Sequence, residues 1–139
     1  MRRPVASALR SGHGQSLAEF ALILPVLMII VLGTVDLGRV FFAYISVTNA
    51  ARNGAQYAAS DSENVADVTG IRDAALADTG QLLNTSAANP DVAIATGDDS
   101  QGHLYAEVTV SYDFSTLFPW PGLPDSVNVQ RKVRAMVSE

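Results

Sequence analysis

The chain has 139 residues, with 9 Lys and Arg, 14 Asp and Glu and a formal net charge of −5, which is length enough for one small domain plus an anchor. It has no cysteine, which excludes disulfides and thiolate metal sites. Charge is unevenly divided: residues 1–14 hold Arg2, Arg3 and Arg10 and no acid, whereas residues 15–139 hold six Lys or Arg and all fourteen acids, a balance of −8 that suits nucleic acid poorly.

The first predicted element is a membrane helix. Residues 20–35 contain no charged side chain. A bilayer core of ~30 Å needs about 20 helical residues, so the span is placed at about residues 17–40, in contact with membrane lipid. Asp36 and Arg39 then lie near its far boundary. The basic start favours a cytoplasmic N-terminus in a single-pass inner (cytoplasmic) membrane protein, with the acidic remainder outside. The apolar run is longer than the ~7–15 residues of a secretory signal, and Thr34-Val35-Asp36-Leu37-Gly38-Arg39 offers no small-x-small cleavage site, so the segment reads as a retained anchor.

The helical pattern continues past the span. Val40, Phe41, Tyr44, Val47, Thr48, Ala51, Ala55 and Ala58 keep a spacing of three or four, and no proline falls between Val26 and Asn89. One helix over residues 16–59, about 65 Å long, is predicted. Pro25 lies inside it and should kink or loosen it. Ala43, Ala50, Ala51, Gly54, Ala55, Ala58 and Ala59 allow close approach, either of a neighbouring helix or of this chain's own head. Asp36 and Arg39, at i and i+3, can pair on one face. They read either as an interfacial ion pair marking the membrane exit or as an intersubunit contact. Glu19 stands at the threshold of the apolar run, where a carboxylate is costly and usually has a partner. Ser16-Leu17-Ala18-Glu19 also fits a capping box, in which Glu19 returns to the N-cap backbone.

Ser60-Asp61-Ser62-Glu63-Asn64 should end this helix and could cap the next. A second helix is predicted over residues 65–83, with Val68, Ile71, Ala75, Leu76, Thr79, Leu82 and Leu83 as its apolar stripe. Residues 91–96 read as a strand and Gly97-Asp98-Asp99-Ser100-Gln101-Gly102 as a turn. Leu104, Ala106, Val108, Val110, Tyr112 and Phe114 alternate with Tyr105, Glu107, Thr109, Ser111 and Asp113, which is a half-buried strand. A last strand spans residues 127–137, with Val127, Val129, Val133, Ala135 and Val137 inward and Arg131 as the exception. Helix followed by antiparallel strands gives an α+β head over residues 61–139. Between the last two strands, Phe118-Pro119-Trp120-Pro121-Gly122-Leu123-Pro124 reads either as core cover by Trp120 or as a partner contact through Trp120 and Phe118.

Catalytic and metal patterns are missing from the sequence. No H-E-x-x-H, G-x-S-x-G or P-loop occurs, and the 97–102 turn lacks the alternating ligands of an EF-hand. No enzyme activity and no cofactor are expected.

Gly14-Gln15-Ser16-Leu17-Ala18-Glu19-Phe20 resembles the processing motif of class III signal peptides in type IV pilins and pseudopilins. In the tight-adherence (Tad, Flp-type) subclass, cleavage follows a glycine, and the mature chain carries Glu fifth and Tyr or Phe sixth. Cleavage between Gly14 and Gln15 makes Glu19 fifth and Phe20 sixth. With Pro25, Asp36-Leu37-Gly38-Arg39 and Asn49-Ala50-Ala51-Arg52-Asn53-Gly54-Ala55-Gln56-Tyr57-Ala58-Ala59, the segment is similar to the TadE-like family of minor pseudopilins. It departs at Gln56, where the family suggests a basic residue. The resemblance implies a leader, residues 1–14 with His13, removed by a prepilin peptidase. It implies a long helix over residues 15–60 under a pilin-like head. Partners would be the major Flp-type pilin, other minor pseudopilins and the inner-membrane assembly platform. Glu19 would neutralise the new N-terminal amine, and the protein would help assemble, prime or regulate a pilus used in surface attachment, in which it could itself be incorporated. The alternative is an uncleaved signal-anchored envelope protein whose head is a binding module.

Overall fold

In the computed structural model, the described residues are 12–77, 79, 90–118, 122 and 124–137. Their elements are α1 (Gly12–Ala59), α2 (Val68–Leu76), β1 (Asp91–Asp98), β2 (Leu104–Ser115) and β3 (Ser126–Met136). The arrangement is α+β: a long apolar N-terminal helix, one further helix and a three-stranded antiparallel sheet of order β1-β2-β3. By its internal contacts the chain divides into two compact units, Met1–Val35 and Asp36–Glu139.

The first unit is helical from Gly12 onward, and every side chain from Gly14 to Val31 is exposed. The helix runs through Pro25, whose missing N–H removes one backbone bond without ending the element. Thr34 Oγ1 donates to the Ile30 carbonyl at 2.8 Å, which satisfies its hydroxyl inside an apolar stretch. The helix is long and apolar enough to cross a membrane, and it fits a single-pass membrane protein.

The second unit holds the core. From α1 it takes Ala43, Val47, Ala50, Ala51, Ala55 and Ala58 at helical spacing; from α2, Ile71 and Ala75; from the sheet, Val92, Ala106, Val108, Val110, Tyr112, Phe114 and Val129. The small residues of α1 therefore lie under this chain's own sheet. Gly54 is the tightest point: a Cβ there would lie 3.1 Å from both Ala75 Cβ and Val108 Cγ1, and 3.2 Å from the Ile71 carbonyl. Two apolar positions of the predicted α1 stripe, Phe41 and Tyr44, are instead exposed. The buried face turns through Asp36, Ala43, Ser46 and Val47, about seven residues per two turns.

The second helix is shorter than predicted and starts later. Residues 62–66 form turns, and Asp67 is the N-cap: its Oδ1 accepts from the Gly70 amide at 2.9 Å. An acid with this local bond ends the turn region more effectively than the 60–64 segment does. Tyr57 Oη donates to Asp67 Oδ2 at 3.0 Å, tying the cap to the end of α1. Val68 is exposed because it precedes the buried positions Ile71 and Ala75. The predicted continuation through Leu82 and Leu83 lies outside the described residues. Arg72 Nη2 donates to the Val92 carbonyl at 2.9 Å and so links α2 to β1.

The register pairs Val92 with Val110 and Val108 with Val133. On β2, Ala106, Val108, Val110, Tyr112 and Phe114 are buried; Leu104, the first strand residue beside the 99–103 turn, is exposed. β3 is an edge strand, so only its Val129 is buried, Val133 and Ala135 are half-buried, and Val127 is exposed. Arg131, opposite Val110, shares the inward face. Its guanidinium lies 4.8 Å from the Tyr44 ring centroid and bonds the Tyr44 hydroxyl, so the irregular position in the pattern is a cation–π contact with α1.

Three surface carboxylates are held below their ordinary range. At Asp67 the Gly70 amide, then the Tyr57 hydroxyl, favour the charged form. At Asp99 the His103 amide dominates, followed by the Gln101 amide. At Glu107 it is the Lys132 ammonium, then Arg134. A depressed folded value adds stability that is complete above the unfolded value and disappears as pH falls through the folded one. The thermal midpoint should therefore fall between about pH 5 and about pH 3. Asp99→Asn, which keeps an acceptor for both amides but does not titrate, should flatten that slope. An unchanged slope by circular dichroism in detergent would remove Asp99 from the account.

Candidate functional site

The residues singled out by sequence fall at two places on α1. Gly14, Gln15, Glu19 and Phe20 lie on exposed helix. Ser16 lies inside α1, with helical residues on both sides, so it does not stand at an N-cap here. Glu19 Oε1 instead accepts from Gln15 Nε2 at 3.2 Å, one turn back. That bond joins the fifth position after Gly14 to the first. It leaves Glu19 on the surface, open to a cation, and a carboxylate beside hydrocarbon favours such a partner.

The second place is Asp36. It is 5% exposed, although it is the first charged residue after the apolar run. Its Oδ1 accepts from Arg39 Nη1 at 3.1 Å and from the Leu117 amide at 3.1 Å. Arg39 in turn lies 4.9 Å from the centroid of the Phe114 ring. A helical i, i+3 spacing brings the two charges together, and the end of β2 closes over them. The carboxylate thus has a salt-bridge partner and a backbone donor, which offsets the cost of removing it from water.

Sequence spacing identified the Asp36–Arg39 pair. It did not identify Phe114 or the Leu117 amide, because a backbone donor leaves no mark in the sequence. Phe118 is exposed. Trp120 lies outside the described residues. The loop bearing Phe118 is closed at its base by the Thr116 amide, which donates to the Asp125 carbonyl at 3.1 Å.

The 99–103 turn spends its carboxylate internally. Asp99 Oδ1 accepts from the amides of Gln101 and His103 at 2.8 Å each, and Gly102 takes φ +85°, which glycine adopts without strain. Among the described residues, no group of three or more His, Asp and Glu side chains is placed to hold a metal ion.

No curated protein and no solved structure matches the chain. A family model described as TadE-like protein matches residues 14–56, from Gly14 through Glu19, the apolar run, Asp36 and Arg39 to Gln56. Over those residues, and not over the rest, the chain is similar to TadE-like proteins.

Proposed function

We propose that the chain is a minor pseudopilin of a tight-adherence (Tad/Flp) pilus system, anchored by one span with its N-terminus in the cytoplasm and its second unit outside the inner membrane. The TadE-like match is the observation that carries this reading, because it begins at Gly14 and includes Glu19, Phe20 and the whole apolar run. A prepilin peptidase cuts between Gly14 and Gln15, and the leader leaves. Glu19 then neutralises the amine of Gln15, its own or a neighbour's. The existing Gln15–Glu19 contact supports the intramolecular version, since it already brings the fifth mature residue back to the first. The role is assembly, priming or regulation of a pilus for surface attachment, with the major pilin, other minor pseudopilins and the assembly platform as partners. It requires no cofactor and no catalysis.

Intact-mass analysis of the membrane-extracted protein, with and without a co-expressed Tad-type prepilin peptidase, tests this reading. The expected product begins at Gln15, depends on the peptidase and disappears in Gly14→Arg. A leader retained in every sample, beside a peptidase that cuts a known substrate, would leave a signal-anchored binding protein as the better account.

A further inference from the structure

Leu117 and Phe118 are 57% and 43% exposed, which is unusual for two adjacent large apolar residues in one loop. The start of the loop is held in place. Thr116 closes its base on Asp125, and the Leu117 amide is anchored on Asp36. Asp36 directly follows the uncharged residues 20–35. The loop is thus attached to α1 where the apolar run ends.

The helix is also apolar on its exposed side just beyond that point. Leu37, Phe41 and Phe42 are all exposed. From Asp36 to Phe42 the helix rises about 9 Å at 1.5 Å per residue. The polar layer of one leaflet is about 5–8 Å thick, and interfacial apolar faces sink about 5–10 Å into it. The dimensions agree. The only charges within this stretch, Asp36 and Arg39, are paired with each other, and Arg39 is covered by Phe114. Little uncompensated charge opposes entry into the headgroup region.

We propose that Leu117 and Phe118, together with Leu37, Phe41 and Phe42, insert into the outer headgroup layer of the membrane that α1 crosses. The β2–β3 loop then rests on lipid and fixes the second unit at the bilayer surface. The occupant of this patch is the lipid surface itself, because Leu37, Phe41 and Phe42 continue the apolar run and the charges among them, Asp36 and Arg39, are paired with each other. The exposed Asp125 at the loop's base lies at the other end of the loop in sequence from Leu117 and Phe118. The proposal rests on the reading of α1 as a membrane span.

The chain has no cysteine, so single cysteines can be labelled cleanly with an environment-sensitive nitrobenzoxadiazole dye. The full chain is reconstituted in phosphatidylcholine vesicles, with and without phosphatidylglycerol. Labels go to Leu117→Cys and Phe118→Cys. Ile29→Cys marks the span, and Gln130→Cys marks the exposed face of β3. The expected result is a blue-shifted emission at 117 and 118, quenched several-fold more than at 130 by lipids brominated near the headgroup, in both vesicle types. The label at 29 should be quenched best by lipids brominated deep in the chains. Labels at 117 and 118 that behave like the one at 130, with 29 in hydrocarbon, overturn the proposal and leave the span intact. Blue-shifted labels at 117 and 118 that no brominated lipid quenches also overturn it, in favour of a protein contact. A label at 29 in water overturns the span reading and the proposal with it.

Discussion

Gly54→Val is expected to lower the thermal midpoint of the second unit by about 10–20 °C. Any Cβ at this position already meets Ala75, Val108 and the Ile71 carbonyl at 3.1–3.2 Å. Alanine needs its neighbours to yield by a few tenths of an ångström, and it returns up to about 1 kcal/mol of helix propensity. Gly54→Ala should therefore stay within about 1 kcal/mol of the parent. Valine adds two methyl groups that have no space to enter, because Val108 and Ile71 are fully buried and packed on all sides. Overpacking of this kind costs about 2–3 kcal/mol, and about 4–8 °C of midpoint accompanies each kcal/mol in a domain of this size. Near-UV circular dichroism of the full chain in detergent measures it. If valine melts with alanine, α1 does not pack on α2 and β2 as closely as this structure has it.

The second large effect is expected at Asp36. Asp36→Leu keeps the branching and heavy-atom count, with bulkier methyl groups, but leaves the Leu117 amide without this acceptor and Arg39 without its counter-charge. A fully buried donor left unsatisfied costs about 1–3 kcal/mol; this bond is only part-buried, so its loss lies at the low end. Removing one member of a fully buried pair costs about 3–5 kcal/mol; Arg39 is partly exposed, so water recovers part of that. A loss of about 2–3 kcal/mol is expected, with faster hydrogen exchange at the Leu117 amide. Asp36→Asn keeps an acceptor and loses the charge, so it should fall between the two. The two substitutions separate cleanly: Gly54→Val should weaken the unit as a whole, while Asp36→Leu should first loosen the β2–β3 loop. Unchanged exchange at Leu117 in Asp36→Leu would mean that Asp36 does not hold the loop.

A functional consequence links these effects. If Asp36 fixes the loop at the end of the apolar run, its loss should also free the labels at positions 117 and 118 from lipid. The membrane contact and the ion pair would then be one device, in which a paired charge positions an apolar loop.

The long helix was legible in sequence because its signals are local. An uncharged run, a spacing of three or four and the absence of proline after Pro25 act on neighbouring turns of one element. β2 was legible for the same reason, since strict alternation needs only a two-residue period. The resemblance over Gly14–Phe20 is a short string, and a short string can be compared without a fold. Asp36 and Arg39 are one turn apart, so their pairing could be read as well.

Partners that the chain brings from far away could not be read. The amide that Asp36 accepts belongs to a residue 81 positions on, and the tyrosine beneath Arg131 lies 87 positions before it. Arg131 looked like a break in an inward pattern because composition does not reveal that β3 is an edge strand with a helix residue beside it. The small residues of α1 permitted a neighbour's helix or the chain's own sheet; their burial against Val108 and its neighbours was settled by packing. The start of α2 moved to Val68 because Asp67 bonds both the Gly70 amide and Tyr57, and that choice depends on where α1 ends. Periodicity and composition specify each element's own preference. Which faces meet is set by the burial available once the chain has closed on itself, and that quantity exists only in the tertiary structure.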